Sequence, residues 1–254
     1  MNLDEILEHH LLDHRYFRLA KAGGVSLDMS SHLIMMWIVG AFCLVLFSFA
    51  ARGRSRAGTL LRGGVEAVIL YVRDAMLRPV FHEAAGAYLP YFLTLFFFIL
   101  VCNLAGLVPY GSTVTGNISV TAALALCTFG LIQYAGVREQ GLFSYLKHLV
   151  PSGLPAWVLV IMYPIEILGL CVRCVALSIR LFANMIAGHI VSLAFLSLIF
   201  IFARMSPSLG LGVAPVAVAL ALFVYALDVL VSLLQAYIFT MLTALFVGMA
   251  VHPH

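Results

Sequence analysis

The sequence predicts an all-α polytopic membrane protein with about five membrane-crossing helices. The last two are expected to be long, tilted and packed as an antiparallel hairpin, with an amphipathic helix on the surface. Three observations carry that prediction. Of the 254 residues, 63% are hydrophobic and 10% charged, with mean hydropathy +1.09, and no polar block is long enough for a separate soluble domain. Apolar runs of spanning length recur along the chain, separated by short stretches of turn-forming or charged residues. The run from Trp157 to Ala203 is almost wholly apolar yet carries Glu166, Arg173, Arg180 and His189. A charged side chain at mid-bilayer costs about 2.5–3.5 kcal/mol on insertion scales, so these residues are expected to face a partner or a wet cavity.

Taken in order, residues 1–30 are expected to form an external interfacial segment. Their start is acidic and amphipathic and lacks the basic region, apolar run and cleavage site of a secretory signal. Asp4, Glu5 and Glu8 also disfavour a mitochondrial presequence. His9, His10 and His14 read as a solvated or interfacial helix face rather than as metal ligands. The first span, 31–50, ends against Arg52, Arg54, Arg56 and Arg62. Such a basic cluster stays cytoplasmic, which puts the N-terminus outside.

Residues 62–83 mix apolar side chains with Glu66, Arg73, Asp74, Arg78 and Glu83, too many charges for a span. They are expected to form an amphipathic helix on the cytoplasmic surface. The second span, 90–108, contains Asn103 and Gly106 near its far end, and Pro109 with the polar stretch after it turns the chain outside. The third span, 118–135, returns it to a short loop bearing Arg138, Glu139, Lys147 and His148. The C-terminus is then cytoplasmic.

The last two segments, 157–203 and 209–251, are each too long for one upright span. The first would extend on the order of 70 Å as a helix against a hydrocarbon core of roughly 30 Å. It is expected to be one oblique helix, bent near Pro164 and Gly188 but not broken. Glu166, Arg173 and Arg180 recur every seven residues and keep to one slowly drifting stripe, which Asn184 continues. His189 falls about half a circle from Arg180. In the last segment Asp228, Ser232 and Gln235 share one face. All five cysteines are expected to be small packing residues, since an odd count within apolar helices does not make a disulfide framework. No two similar halves with matching broken helices are visible, which weakens a secondary-transporter reading.

The stretch SIRLFANMIAGH, Ser178 to His189, closely resembles the signature of the a subunit of rotary F-type ATP synthases. NLAGLVP at Asn103–Pro109 resembles that family's second-span ending. Glu166 occupies its upstream acidic position, and LLQAYIF at Leu233–Phe239 resembles its final-helix motif around a glutamine, here Gln235. Many bacterial members carry glutamate where His189 stands and histidine where Asp228 stands, so acid and base look exchanged here.

The resemblance implies a stator beside a ring of c subunits, each carrying a carboxylate, with two offset aqueous half-channels that load and unload protons. It implies further partners in the peripheral-stalk subunit b and, indirectly, the F1 catalytic head. No cofactor or metal is expected, protons are favoured over sodium, and a bacterial inner membrane is favoured over a mitochondrial or plastid one. Arginine stays protonated at physiological pH, so Arg180 would attract an ionised ring carboxylate without taking its proton and would block a direct leak. Its structural alternative is an ion pair with Glu166 or Asp228. His189, Asp228 and then Glu166 are the candidate proton-handling groups, because imidazole titrates near physiological pH; a structural His–Asp pair is the alternative. Gln235 can donate and accept hydrogen bonds but not titrate, which suits it to positioning Arg180 or the ring carboxylate. Asn184 and Ser232 would hydrogen-bond water or nearby backbone. No GxxxxGK[ST] loop occurs, so nucleotide chemistry is expected on other subunits. The competing class is a self-contained ion channel or ion-coupled transporter.

Overall fold

A computed structural model describes residues 15–22, 25–52, 56–108, 113–141, 143–145 and 156–251. Among the described residues, two strands, β1 (Arg15–Ala22) and β2 (Val25–Ser30), precede the principal α-helices. These are α1 (Ser31–Arg52), α2 (Arg56–Tyr71), α3 (Arg78–Phe81), α4 (Ala85–Gly106), α5 (Ile118–Gln140), α6 (Ala156–Met205) and α7 (Pro207–Val251). Five helical runs among the described residues are long and apolar enough to cross a membrane. Large apolar side chains such as Trp37, Leu44, Phe200 and Leu211 are exposed on them. In water such a surface would aggregate; in lipid it is the natural exterior, because hydrocarbon is as apolar as the side chains. The chain is an integral membrane protein, all-α through its membrane region.

The N-terminal segment contains β structure. β1 and β2 pair antiparallel, with Ala22 opposite Val25 and Arg15 opposite Ser30, a pairing that the interfacial reading of residues 1–30 did not specify. Val25, Leu27 and Met29 alternate with Ser26, Asp28 and Ser30, which is the two-residue period of a strand. The sequence between the strands is Gly23–Gly24, a pair that favours hairpins. His9, His10 and His14 lie outside the described residues.

The surface helix is not one smooth element either. From Arg56 the chain runs through α2, a π-helical turn at Val72–Leu77, α3 and a 3-10 turn at His82–Ala84. His82 takes a positive φ of 49°, and that break separates this stretch from α4. Val72, Met76, Leu77 and Phe81 are buried, while Asp74 pairs with Arg73 at 2.8 Å and Arg78 at 3.0 Å. The second span starts at Ala85, before Pro90, and the third runs on to Gln140. Arg138 and Glu139 continue α5 because long charged side chains carry their heads beyond the hydrocarbon.

The described residues group into two compact units. One holds those of Met1–Leu46, Phe98–Asn117 and Leu181–Gln235; the other those of Phe47–Phe97, Ile118–Arg180 and Ala236–His254. In the first, α6 and α7 turn back on each other around Ser206, whose carbonyl accepts from the Leu209 and Gly210 amides, each at 3.1 Å. A Cβ on Gly210 would lie 2.7 Å from that of Ala203, so glycine is what lets the arms close this tightly. Further down the arms Gly188 meets Asp228. Pairs that step forward on one helix and back on the other define an antiparallel hairpin. In the second unit the Arg173 guanidinium lies 5.6 Å from the Phe246 ring. Its core gathers Phe81, stacked on Tyr88 at 4.5 Å, with Phe92 and Phe239. Outside the spans, burial pushes the Tyr145 phenol above its ordinary range, although its hydrogen bond to Gln133 acts the other way.

α6 is a single helix from Ala156 to Met205, with Pro164 and Gly188 inside it. The cysteine expectation holds for Cys102 and Cys174, which are buried, but not for Cys127 and Cys171, which are exposed. Facing lipid costs a thiol little, so apolar surroundings in sequence do not imply burial.

Candidate functional site

α6 divides cleanly by face around the long motif. Cys174, Leu177, Ser178, Leu181, Met185, Gly188 and Ser192 are buried, whereas Ala176, Ile179, Arg180, Ala183 and Ala187 are exposed. The steps of three and four residues within each set are those of one helix face. Arg180 therefore projects outward among apolar and small neighbours, while the Leu181 side chain beside it in sequence points in.

Within the first unit a cavity of about 10 Å³ opens between α4, α6 and α7, on the scale of one water molecule. Its polar lining is Asn103 from α4, Asn184 from α6, and Asp228, Ser232 and Gln235 from α7; Leu107, Leu181, Met185 and Val231 complete it. The expected stripe on α7 thus comes together on one wall. Ser232 and Gln235 are buried and Asp228 is half-buried.

Space for the Asp228 carboxylate is provided by Gly188. A Cβ built there would collide with both carboxylate oxygens, so the carboxylate occupies the volume that any other residue's side chain would take. His189, the next residue, is half-buried, and its carbonyl accepts a hydrogen bond from the Ser192 hydroxyl at 3.0 Å. It is not one of the cavity's lining residues. Glu166 is half-exposed, belongs to the second unit and is not one of the cavity's lining residues.

Asn103 is the residue that sequence reasoning passed over as a site group. It is 2% exposed, and its Oδ1 has no hydrogen-bond partner among the described residues. A buried amide oxygen without a partner beside a water-sized polar cavity suits an ordered water. The available signal was a lone carboxamide in a helix otherwise built from apolar side chains, Tyr and Thr.

The family model described as ATP synthase A chain matches residues 33–248. The chain belongs to the ATP synthase A chain family. Similar members include the ATP synthase subunit a of Chloroherpeton thalassium, 40% identical over 260 residues that cover 98% of this chain and 76% of the relative. That of Myxococcus xanthus is 43% identical over 240 residues, covering 91% and 77%. The resemblance read at Ser178–His189 therefore extends over nearly the whole chain. In this ATP synthase A chain the motif's arginine lies on the outward face of α6, and its asparagine and glycine lie on the side turned towards α7. The β1–β2 hairpin precedes the matched residues.

Proposed function

We propose that this chain is the stator a subunit of a rotary F-type ATP synthase, with Arg180 facing a ring of c subunits and two offset aqueous half-channels reaching the ring carboxylates. The observation that carries the reading is the exposure of Arg180 on an otherwise apolar face of α6, where Ile179 and Val175 are also exposed. A permanent cation on a lipid-depth surface demands a partner, and an ionised carboxylate arriving on a neighbouring subunit meets that demand. The cation holds the site ionised while it passes, then yields it to protonation on the far side. Because it does not give up its own proton, it also separates the two half-channels.

Asp228, Asn184, Ser232 and Gln235, joined by Asn103, form a polar wall that holds water for the half-channel from the outside. His189 and Asp228 are the first candidates for handling the proton in that half-channel, and Glu166 is the third. Moving one charge through 100 mV releases about 2.3 kcal/mol, and loading and unloading at different angles turns that work into rotation. ATP is made on the F1 head, reached through the c-ring and held against it by the b stalk. The membrane is a bacterial inner membrane, with the N-terminus outside and the basic cluster after α1 in the cytoplasm.

The test is Arg180→Ala in the assembled complex. Proton-driven ATP synthesis is expected to fall to background while the a, b and c subunits remain present at normal ratio. Retained coupled synthesis refutes the role; loss of assembly before loss of transport favours a scaffold.

A further inference from the structure

The mechanism above needs Arg180 to meet the ring at a fixed angle about the α6 axis, yet the inner face of α6 offers little to hold that angle. Cys174 and Leu177 are buried there and are apolar. Contacts between apolar side chains are non-directional, so a helix can turn by tens of degrees and still pack. Among the described residues, a hydrogen bond from this face to α5 in the second unit is directional. The Ser178 hydroxyl donates to Thr121 Oγ1 on α5 at 3.1 Å, between residues that are 5% and 0% exposed. Thr121 in turn donates to the Ile118 carbonyl at 3.1 Å. Thr121 is thereby committed on both sides: its proton goes to its own helix and its lone pair receives Ser178.

Ser178 precedes Arg180 by two residues, about 200° around the helix. The bond is thus anchored almost diametrically opposite the guanidinium. We propose that the Ser178–Thr121 hydrogen bond is the rotational pin of α6, making Ser178 and Thr121 positioning residues for Arg180. The inference rests on the Arg180 reading above.

Interhelical hydroxyl bonds within membranes contribute modestly to stability, so losing this one leaves assembly intact. It does free Ser178 to bond back to a carbonyl in its own helix, as buried serines do, and α6 is then free to turn. A small turn moves a guanidinium on a long side chain through several ångströms at the ring surface.

The experiment uses the whole ATP synthase in membrane vesicles. Ser178→Ala and Thr121→Val are each expected to lower proton-driven ATP synthesis about threefold to tenfold at normal subunit content. The double variant should be no worse than either single one, and Thr121→Ser should return to within about twofold of the native rate. The decisive readout is angular: single cysteines at Val172, Ala176, Leu177 and Ile179 are crosslinked to a cysteine on the ring helix. In the native background Val172, Ala176 and Ile179 should crosslink and Leu177 should not; in Thr121→Val the profile should broaden towards Leu177. An unchanged profile with native synthesis in Thr121→Val overturns the pin. Arg180→Ala, run alongside, keeps the two ideas apart. If it abolishes synthesis while Thr121→Val changes nothing, only the pin fails; if it leaves synthesis coupled, the Arg180 reading itself fails.

Discussion

Replacing Gly188 with alanine adds one methyl group at a point where α6 and α7 pack closely. That methyl would lie on the Asp228 carboxylate. Two outcomes are open to the chain. If Asp228 stays, the overpacking costs about 1–3 kcal/mol, offset by about 0.5–1 kcal/mol because alanine suits a helix interior better than glycine. The net cost, about 0–2.5 kcal/mol, does not prevent assembly. If Asp228 swings aside, the helix relaxes but the carboxylate leaves the wall it shares with Asn103, Ser232 and Gln235. A preference of about 1–3 kcal/mol for the displaced arrangement lowers the productive population roughly 5- to 150-fold.

The second outcome is expected to prevail, because the obstacle is the end of a side chain with two rotatable bonds rather than backbone. The assay is ATP synthesis by vesicles under an imposed proton gradient, with subunit content measured on the same membranes. Gly188→Ala should synthesise at least about fivefold more slowly at native subunit content. Combined with Asp228→Asn, it should add nothing to the loss caused by Asp228→Asn alone. A native rate in Gly188→Ala, or strictly additive losses in the pair, refutes the argument that glycine is there to seat this carboxylate.

Two further outcomes are expected. Exchanging His189 and Asp228 in one variant should recover more proton-driven synthesis than either single change if the two act as a relay; additive losses count against it. Gln140→Leu removes a 2.7 Å hydrogen bond from the Gln140 amide to the Ala250 carbonyl at the end of α7. The cost is about 1 kcal/mol, visible as a fall of about 2–4 °C in the melting midpoint of the purified protein, with synthesis at room temperature unchanged.

Much of this molecule was legible in one dimension. Apolar runs and the arginines after α1 located the spans. The absence of a polar turn between Trp157 and Ala203 foretold a single long helix, and α6 is one. The i, i+4, i+7 spacing placed Asp228, Ser232 and Gln235 together, and all three line one cavity. These are properties of a single helix, set by 3.6 residues per turn, and need no knowledge of what lies beside it. The motif around Arg180 is likewise local, which is why the family was readable before any fold was known. The β1–β2 pairing had a signal too, in its alternation and its Gly-Gly pair, but the reading of residues 1–30 went no further than an interfacial segment.

What the chain's order of residues left open was which faces meet. In a soluble helix the polar side marks the outside, whereas α4, α6 and α7 are apolar nearly all round, so no contrast in the sequence identifies the inner face. That choice rests on the register and rotation of helices drawn from distant parts of the chain, set by where small residues let backbones approach. Only the tertiary structure brought Asn103 to the cavity, seated Asp228 in the space left by Gly188, and tied Ser178 to Thr121. It also turned Arg180 outward while burying Leu181 beside it, because a rotation of about 100° per residue sends adjacent side chains to different surroundings.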